Sequence, residues 1–152
     1  HSLKGIYYFV DAVCQGAERL GDRGAIPVLE RIHRNPWLNR LECHEGYQPD
    51  YFLERRAMLE LALGRALARC GSREGYEILI RYLGDARSLL SKQALLELTR
   101  LSETEERPQG RDPKRWFEWL ETARPERETK PLDIHLDRVE NSAEILRVVM
   151  PH

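Results

Sequence analysis

The side chains best suited to chemistry lie close together, in Cys43-His44-Glu45, with Asp50 shortly after and His33 shortly before. Thiolate, imidazole and carboxylate are metal donors, and a thiol beside an imidazole is the minimal nucleophile–base pair. The spacing suits neither use. Directly adjacent residues rarely chelate one ion, and the i, i+4 or x-two spacings that build metal sites are missing, as is any C-x-x-C pair. Sequence neighbours seldom reach nucleophile–base geometry, and no third orienting group accompanies Cys43 and His44. The segment therefore reads as a solvated loop with one docked side chain. Its aromatic residues suggest a different use. Trp37, Tyr47 and Tyr51, with Tyr7 and Tyr8 from the start of the chain, could flank the stretch at 35–50. Aromatics of this kind are enriched at interface hot spots. Trp37, His44, Tyr47, Tyr51, Tyr7 and Tyr8 form the candidate interaction surface, expected to cover an open end of the molecule and to contact a neighbouring domain or subunit.

A second candidate is basic. Arg65, Arg69 and Arg73, preceded by Arg55 and Arg56, could form one ridge along a helix. As a phosphate-binding groove this ridge would need a net positive domain with interleaved exposed aromatics. The chain instead carries 24 basic and 25 acidic residues, a net charge of −1. Pairing with Glu54, Glu60 and Glu77 at helical spacing is the expected arrangement, and nucleic acid is disfavoured as a partner. No G-x-G-x-x-G turn, paired His/Asp/Glu set or metal spacing occurs, so no catalytic residue, cofactor or metal is assigned to this portion.

These residues must be held by helices. The apolar fraction is 41% and the charged fraction 32%, a balance suited to helices with one buried stripe and one wet face. Ile6, Phe9, Val10, Val13, Ala17 and Leu20 predict a stripe on a helix from about Leu3 to Leu20. Ala25, Val28, Leu29 and Ile32 predict the inner face of a second, with Pro27 in its first turn. A loop at 35–50 is long for a compact domain, and such loops are often functional. Beyond it, Leu59, Leu63, Ala66, Leu67 and Cys70 mark a helix of about 51–70. Leu90, Ala94, Leu95, Leu98 and Leu101 mark a later one, and Trp116, Trp119 and Leu120 a last short one behind the Asp112-Pro113 start signal. A charged, proline-containing tail follows from 123, with one short helix predicted from Ser142 to Val149. No period-two alternation supports a sheet.

The punctuation repeats. Leu20-Gly21-Asp22-Arg23-Gly24-Ala25 and Cys70-Gly71-Ser72-Arg73-Glu74-Gly75 each place a glycine where a helix must end left-handed, then a residue able to cap the next helix. Leu83-Gly84-Asp85 repeats the pair. With Leu63-Gly64-Arg65-Ala66-Leu67-Ala68-Arg69-Cys70-Gly71 and Glu77-Ile78-Leu79, these residues resemble HEAT-like helical repeats of the kind described in phycobilisome lyases. The resemblance covers about residues 5–122, is broken by the insert at 35–50, and has Ser72 where an Asp is usual. It implies an all-α superhelix of about three antiparallel helix pairs over residues 3–122. A weaker resemblance, carried by Ala62–Gly71 and Trp116-x-x-Trp119-Leu120, is to helical C-terminal regions of bacterial FAD-dependent oxidoreductases. It would make this an accessory domain whose flavin-binding part lies upstream.

The expected function is a non-catalytic helical scaffold for protein–protein or inter-domain contacts, with an upstream domain, another protein or a second copy as partner. The chain begins His1-Ser2 without a methionine, which reads as a portion of a longer polypeptide. No run of apolar residues is long enough to span a bilayer. Cys14, Cys43 and Cys70, odd in number and widely spaced, suggest free thiols and mildly favour the cytoplasm.

Overall fold

The computed structural model describes residues 3–36, 49–103 and 106–132, with side chains described from residue 5, and from residue 55 in the helix that opens at Pro49. Among these residues are six α-helices: α1 (Leu3–Leu20), α2 (Ile26–Arg34), α3 (Pro49–Arg69), α4 (Arg73–Leu83), α5 (Ser88–Leu101) and α6 (Pro113–Ala123). Two 3-10 turns occupy Arg23–Ala25 and Pro125–Arg127. The described residues contain no strand, so the protein is all-α, as the missing period-two pattern predicts.

Two of the three repeated turns have the expected backbone. Gly21 and Gly71 sit at φ +53° and +89°, the left-handed region that L side chains enter only with strain. Gly84 does not, since it ends α4 at φ −89°. Capping also diverges from expectation. Asp22 accepts from the Gly24 N–H at 2.9 Å and Asp112 from Lys114 N–H at 3.1 Å, with Pro113 in the first turn. Ser72 makes no side-chain cap bond. Asp85 lies ahead of its helix, accepting from the backbone and guanidinium of Arg87, so α5 begins only at Ser88 and Asp85 does not cap it. An aspartate bound to an exposed guanidinium is no longer available to the helix end.

Helix α3 is the axis of the molecule. One side, with Leu59, Ala62, Leu63, Ala66, Leu67 and Cys70, packs against Tyr7, Val10, Cys14 and Ala17 of α1 and Leu29 of α2. Its other side, with Ala57, Leu61 and Ala68, joins Tyr76, Leu79, Ile80 and Leu83 of α4 in a second core completed by α5 and α6. A helix apolar nearly all round is one enclosed by others. Helix directions follow from the contacts. Arg55 lies over the Tyr7 ring and Cys70 reaches the Ala17 carbonyl, so α1 and α3 run parallel. Gly64 abuts Ile78, and Gly75 abuts Ala68, so α4 runs back along α3. The last helix departs from the expected hairpin with α5. Glu121 at its end pairs with Arg73 at the start of α4, while Pro113 lies beside Gly84 at the end of α4. Trp116 and Trp119 close the second core edge-to-face at 5.3 Å, and Trp116 Nε1 donates to the Gly110 carbonyl.

Residues 125–132 form a strap across the end where α1, α3 and α5 terminate. Leu132 N–H donates to the Glu18 carbonyl at 2.8 Å and Lys130 N–H to that of Arg69 at 2.8 Å. The Lys130 ammonium donates to the Leu101 carbonyl at 2.5 Å. The last-turn carbonyls of a helix lack intrahelical donors, and a cation there also meets the negative end of the helix dipole. Arg23 ties the strap down from the first repeated turn, donating to the carbonyls of Gly71, Glu126 and Arg127. The tail expected from 123 onward thus starts as part of the packed structure. The helix predicted at 142–149 lies outside the described residues.

Candidate interaction surface

The six residues singled out from sequence divide sharply. Trp37, His44 and Tyr47 lie outside the described residues, as do Cys43 and Glu45. Tyr51 lies in the first turns of α3, and its side chain is not among those described. Tyr7 is a correction: it is buried in the first core, under the Arg55 guanidinium at 5.6 Å from the ring centroid, and cannot present a surface. Tyr8 is 65% exposed.

Tyr8 does not stand alone. Phe9 and Leu20, expected in the core, are 67% and 73% exposed, and Val28 of α2 is also outside. The cause is the register of α1. Tyr7, Val10, Cys14 and Ala17 follow one another at intervals of three and four and face α3, which turns Phe9 and Leu20 about a third of a turn away. The outward face of α1 is then Gly5, Tyr8, Phe9, Ala12, Gly16 and Leu20, all exposed, with exposed Arg19 between Tyr8 and Ala12 around the helix. Nothing lies within 4 Å of where a Gly16 side chain would be. An apolar helix face of this length is unusual on the outside of a protein, where large exposed apolar patches mark contact sites. The signal was present in the sequence as a second stripe, at positions 5, 9, 12, 16 and 20, interleaved with the buried one.

The polar clusters, in contrast, are engaged in contacts between helices. His33 at the end of α2 sits between two carboxylates, Nε2 at 2.8 Å from Glu60 of α3 and Nδ1 at 3.4 Å from Glu74 of α4. Tyr82 donates to the other Glu60 oxygen at 2.6 Å, and Arg34 pairs with Glu74 at 3.1 Å. The hydrogen bond to Glu60 raises the His33 pKa against the opposing effect of burial, and the same bond lowers that of Glu60. Burial, then the bond to Glu60, raises the Tyr82 phenol. This cluster fastens the end of α2 to the α3–α4 hairpin. Both imidazole nitrogens are directed at carboxylates and neither is open to a substrate.

The arginine ridge is also engaged, with Glu77 among the partners expected and with others on neighbouring helices. Arg65 pairs with Glu18 of α1 at 3.1 Å and Arg69 with Glu97 of α5 at 3.5 Å, both across helices. Arg73 contacts Glu77, as expected, and Glu121 of α6. Glu60 is taken by His33 and Tyr82. A ridge bound to neighbouring helices offers little charge to a phosphate backbone. Burial raises the Glu18 pKa, with Arg65 pulling the other way. Burial pushes the Cys14 thiol up to about 12 and raises that of Cys70, which makes both inert packing residues, as their helical positions predict.

The sequence places Arg23 and Arg73 in the repeated turns, and Arg73 also on the basic ridge. They are equivalent positions in the repeated turns, each two residues after the glycine, and each anchors a C-terminal element: the strap and α6, respectively. Repetition of the arginine was the available signal.

Among the described residues, no three His, Cys, Asp or Glu side chains are gathered to hold a metal ion, and no helix is long and apolar enough to cross a membrane. No protein-family model, curated protein or solved structure matches the chain.

Proposed function

We propose that this chain is a non-catalytic helical scaffold that mediates protein–protein contacts, with the outward face of α1 as its contact surface. The proposed architecture is a HEAT-like α-α superhelix begun by the α1/α2 and α3/α4 pairs. The observation that carries the reading is the exposure of Tyr8, Phe9 and Leu20 together on one helix whose opposite face is fully packed. Burying two aromatics and a leucine on association stabilises it by several kcal/mol, at roughly 25 cal/mol per Å2, whereas leaving them in water serves no packing purpose. The polar clusters support the same reading, since their groups are committed to holding helices together.

Photo-crosslinking tests it. A benzophenone side chain at position 9 should capture polypeptide partners in the expressing cell, while the same group at exposed Arg115 on α6 should not. Equal or absent capture from both positions would remove α1 as the contact surface.

A further inference from the structure

The outward face of α1 has an internal order that narrows the partner. Its large residues and its glycines mirror one another along the helix. If a second α1 is laid against the first in the opposite direction, centred between Ala12 and Val13, residue n faces residue 25 − n. Phe9 then lies over Gly16 of the other helix, Leu20 lies over its Gly5, and Ala12 meets Val13. Phe9 and Leu20 each find a position without a side chain, and do so twice by symmetry, while Tyr8 falls level with buried Ala17 and flanks the contact. A foreign partner would require no such relation between positions of one helix.

We infer that the outward face of α1 pairs with the same face of a second copy of this chain, antiparallel and about a two-fold axis. The inference rests on the contact role proposed above and names the partner. Self-complementary patches of this kind are what a two-fold interface requires, and alternating large and small residues across facing positions let two helices interdigitate. The glycines allow close approach: no atom occupies the space beside Gly16 that Phe9 of the second copy would enter.

The area sets the strength. An aromatic side chain buries about 150–250 Å2 when fully enclosed, and Tyr8 and Phe9 begin about two-thirds exposed. With Leu20 and the small residues between, each copy contributes roughly 500 Å2, so the contact totals about 1,000 Å2, the lower edge of specific interfaces. A dissociation constant in the micromolar range follows, with a monomer–dimer equilibrium in place of a permanent dimer.

Sedimentation of the chain from about 1 µM to about 500 µM covers that range. The mass should rise from 17.8 kDa toward twice that value. Phe9→Asp should weaken association at least tenfold, and so should Gly16→Phe, which fills the recess. The exchanged variant, Phe9→Gly with Gly16→Phe, moves bump and hole together and should recover most of the affinity. Leu20→Asp provides an independent loss at the far end of the face, and helicity by circular dichroism should persist in all variants. A monomer at 500 µM, or an exchanged variant no better than Gly16→Phe alone, overturns the pairing. If position 9 nevertheless crosslinks to other polypeptides, the contact role stands and only the second copy is wrong. If wild-type dimers form but Phe9→Asp and Leu20→Asp leave them unchanged, the pairing through α1 fails.

Discussion

Substituting Gly75 by alanine sets helix propensity directly against packing. In an open helix the change adds about 1 kcal/mol of stability, because glycine has the greater backbone freedom to lose. Gly75 is not in the open. A methyl group there would sit 2.2 Å from the Ala68 nitrogen and 2.7 Å from the Gly64 carbonyl oxygen, backbone atoms of α3 that no rotamer change can remove. Ordinary contact begins near 3.4 Å, so α3 and α4 must separate by about 1.2 Å at their crossing. A gap of about 0.5–1 Å already forfeits a quarter to a half of the dispersion attraction between facing atoms, and overpacked cores lose typically 1–3 kcal/mol, occasionally more. Because the clash is with backbone, the upper part of that range applies, and after the propensity gain the expected net loss is about 1–2 kcal/mol. Urea unfolding followed by circular dichroism should show the midpoint falling by about 0.5–1 M for a slope of about 2 kcal/mol/M. Two other glycines calibrate the result. At Gly64 the nearest atom is the Ile78 Cγ2 methyl at 2.8 Å, a side chain that can shift, so Gly64→Ala should cost no more than about 1 kcal/mol. Gly16→Ala meets nothing and should gain about 1 kcal/mol at concentrations where the chain is monomeric. A Gly75→Ala protein as stable as its parent would refute the tight crossing of α3 and α4.

Two further outcomes are expected. Trp116, buried against Trp119 and bonded to the Gly110 carbonyl, should cost about 3–5 kcal/mol when truncated to alanine; iodide quenching of both Trp116 and Trp119 at the rate of free tryptophan would contradict their burial. The His33–Glu60 pair should make stability depend on pH in a defined sense. The folded pKa of His33 is raised, so its contribution is complete below the unfolded value near 6.5 and is lost as pH rises through the folded value; that of Glu60 is lowered, so its share is present above about 4.5 and fades in acid. Thermal melts should therefore show a decline above pH 6.5 that His33→Gln abolishes, and identical pH profiles for both proteins would exclude the clamp.

Much of the helical framework was legible from residue types. Glycine followed by a capping residue located the breaks at 21 and 71, and Asp112-Pro113 opened α6 where expected, because these signals are local and need no knowledge of neighbours. The inner face of α1 was not legible. Ile6-Tyr7-Tyr8-Phe9-Val10 is apolar throughout, so two stripes fit the same helix and only contact with α3 decides between them. Gly75 read as part of a turn, and its role at the crossing depends on a helix several residues earlier in the chain. Asp85 illustrates competition: a side chain with cap chemistry was claimed by Arg87 instead. The exposed apolar face of α1 was half visible, since the aromatic character of Tyr8 points outward while the apolar character of Phe9 and Leu20 points to the interior.

The strap has a kinetic meaning. Leu132 bonds to the Glu18 carbonyl and Arg23 reaches carbonyls 103 and 104 residues later in the chain, so the strap closes the longest loops in the described structure. Contacts of such separation contribute little until most of the chain is already ordered, because the entropy of closing the loop must be met first. Interactions absent from the folding transition state act on the rate of unfolding and leave the rate of folding nearly untouched. The strap therefore governs how long the assembled bundle lasts more than how quickly it assembles. For the scaffold role proposed above, lifetime is the property that matters most, since any partner held by α1 would be released whenever α1 itself detached.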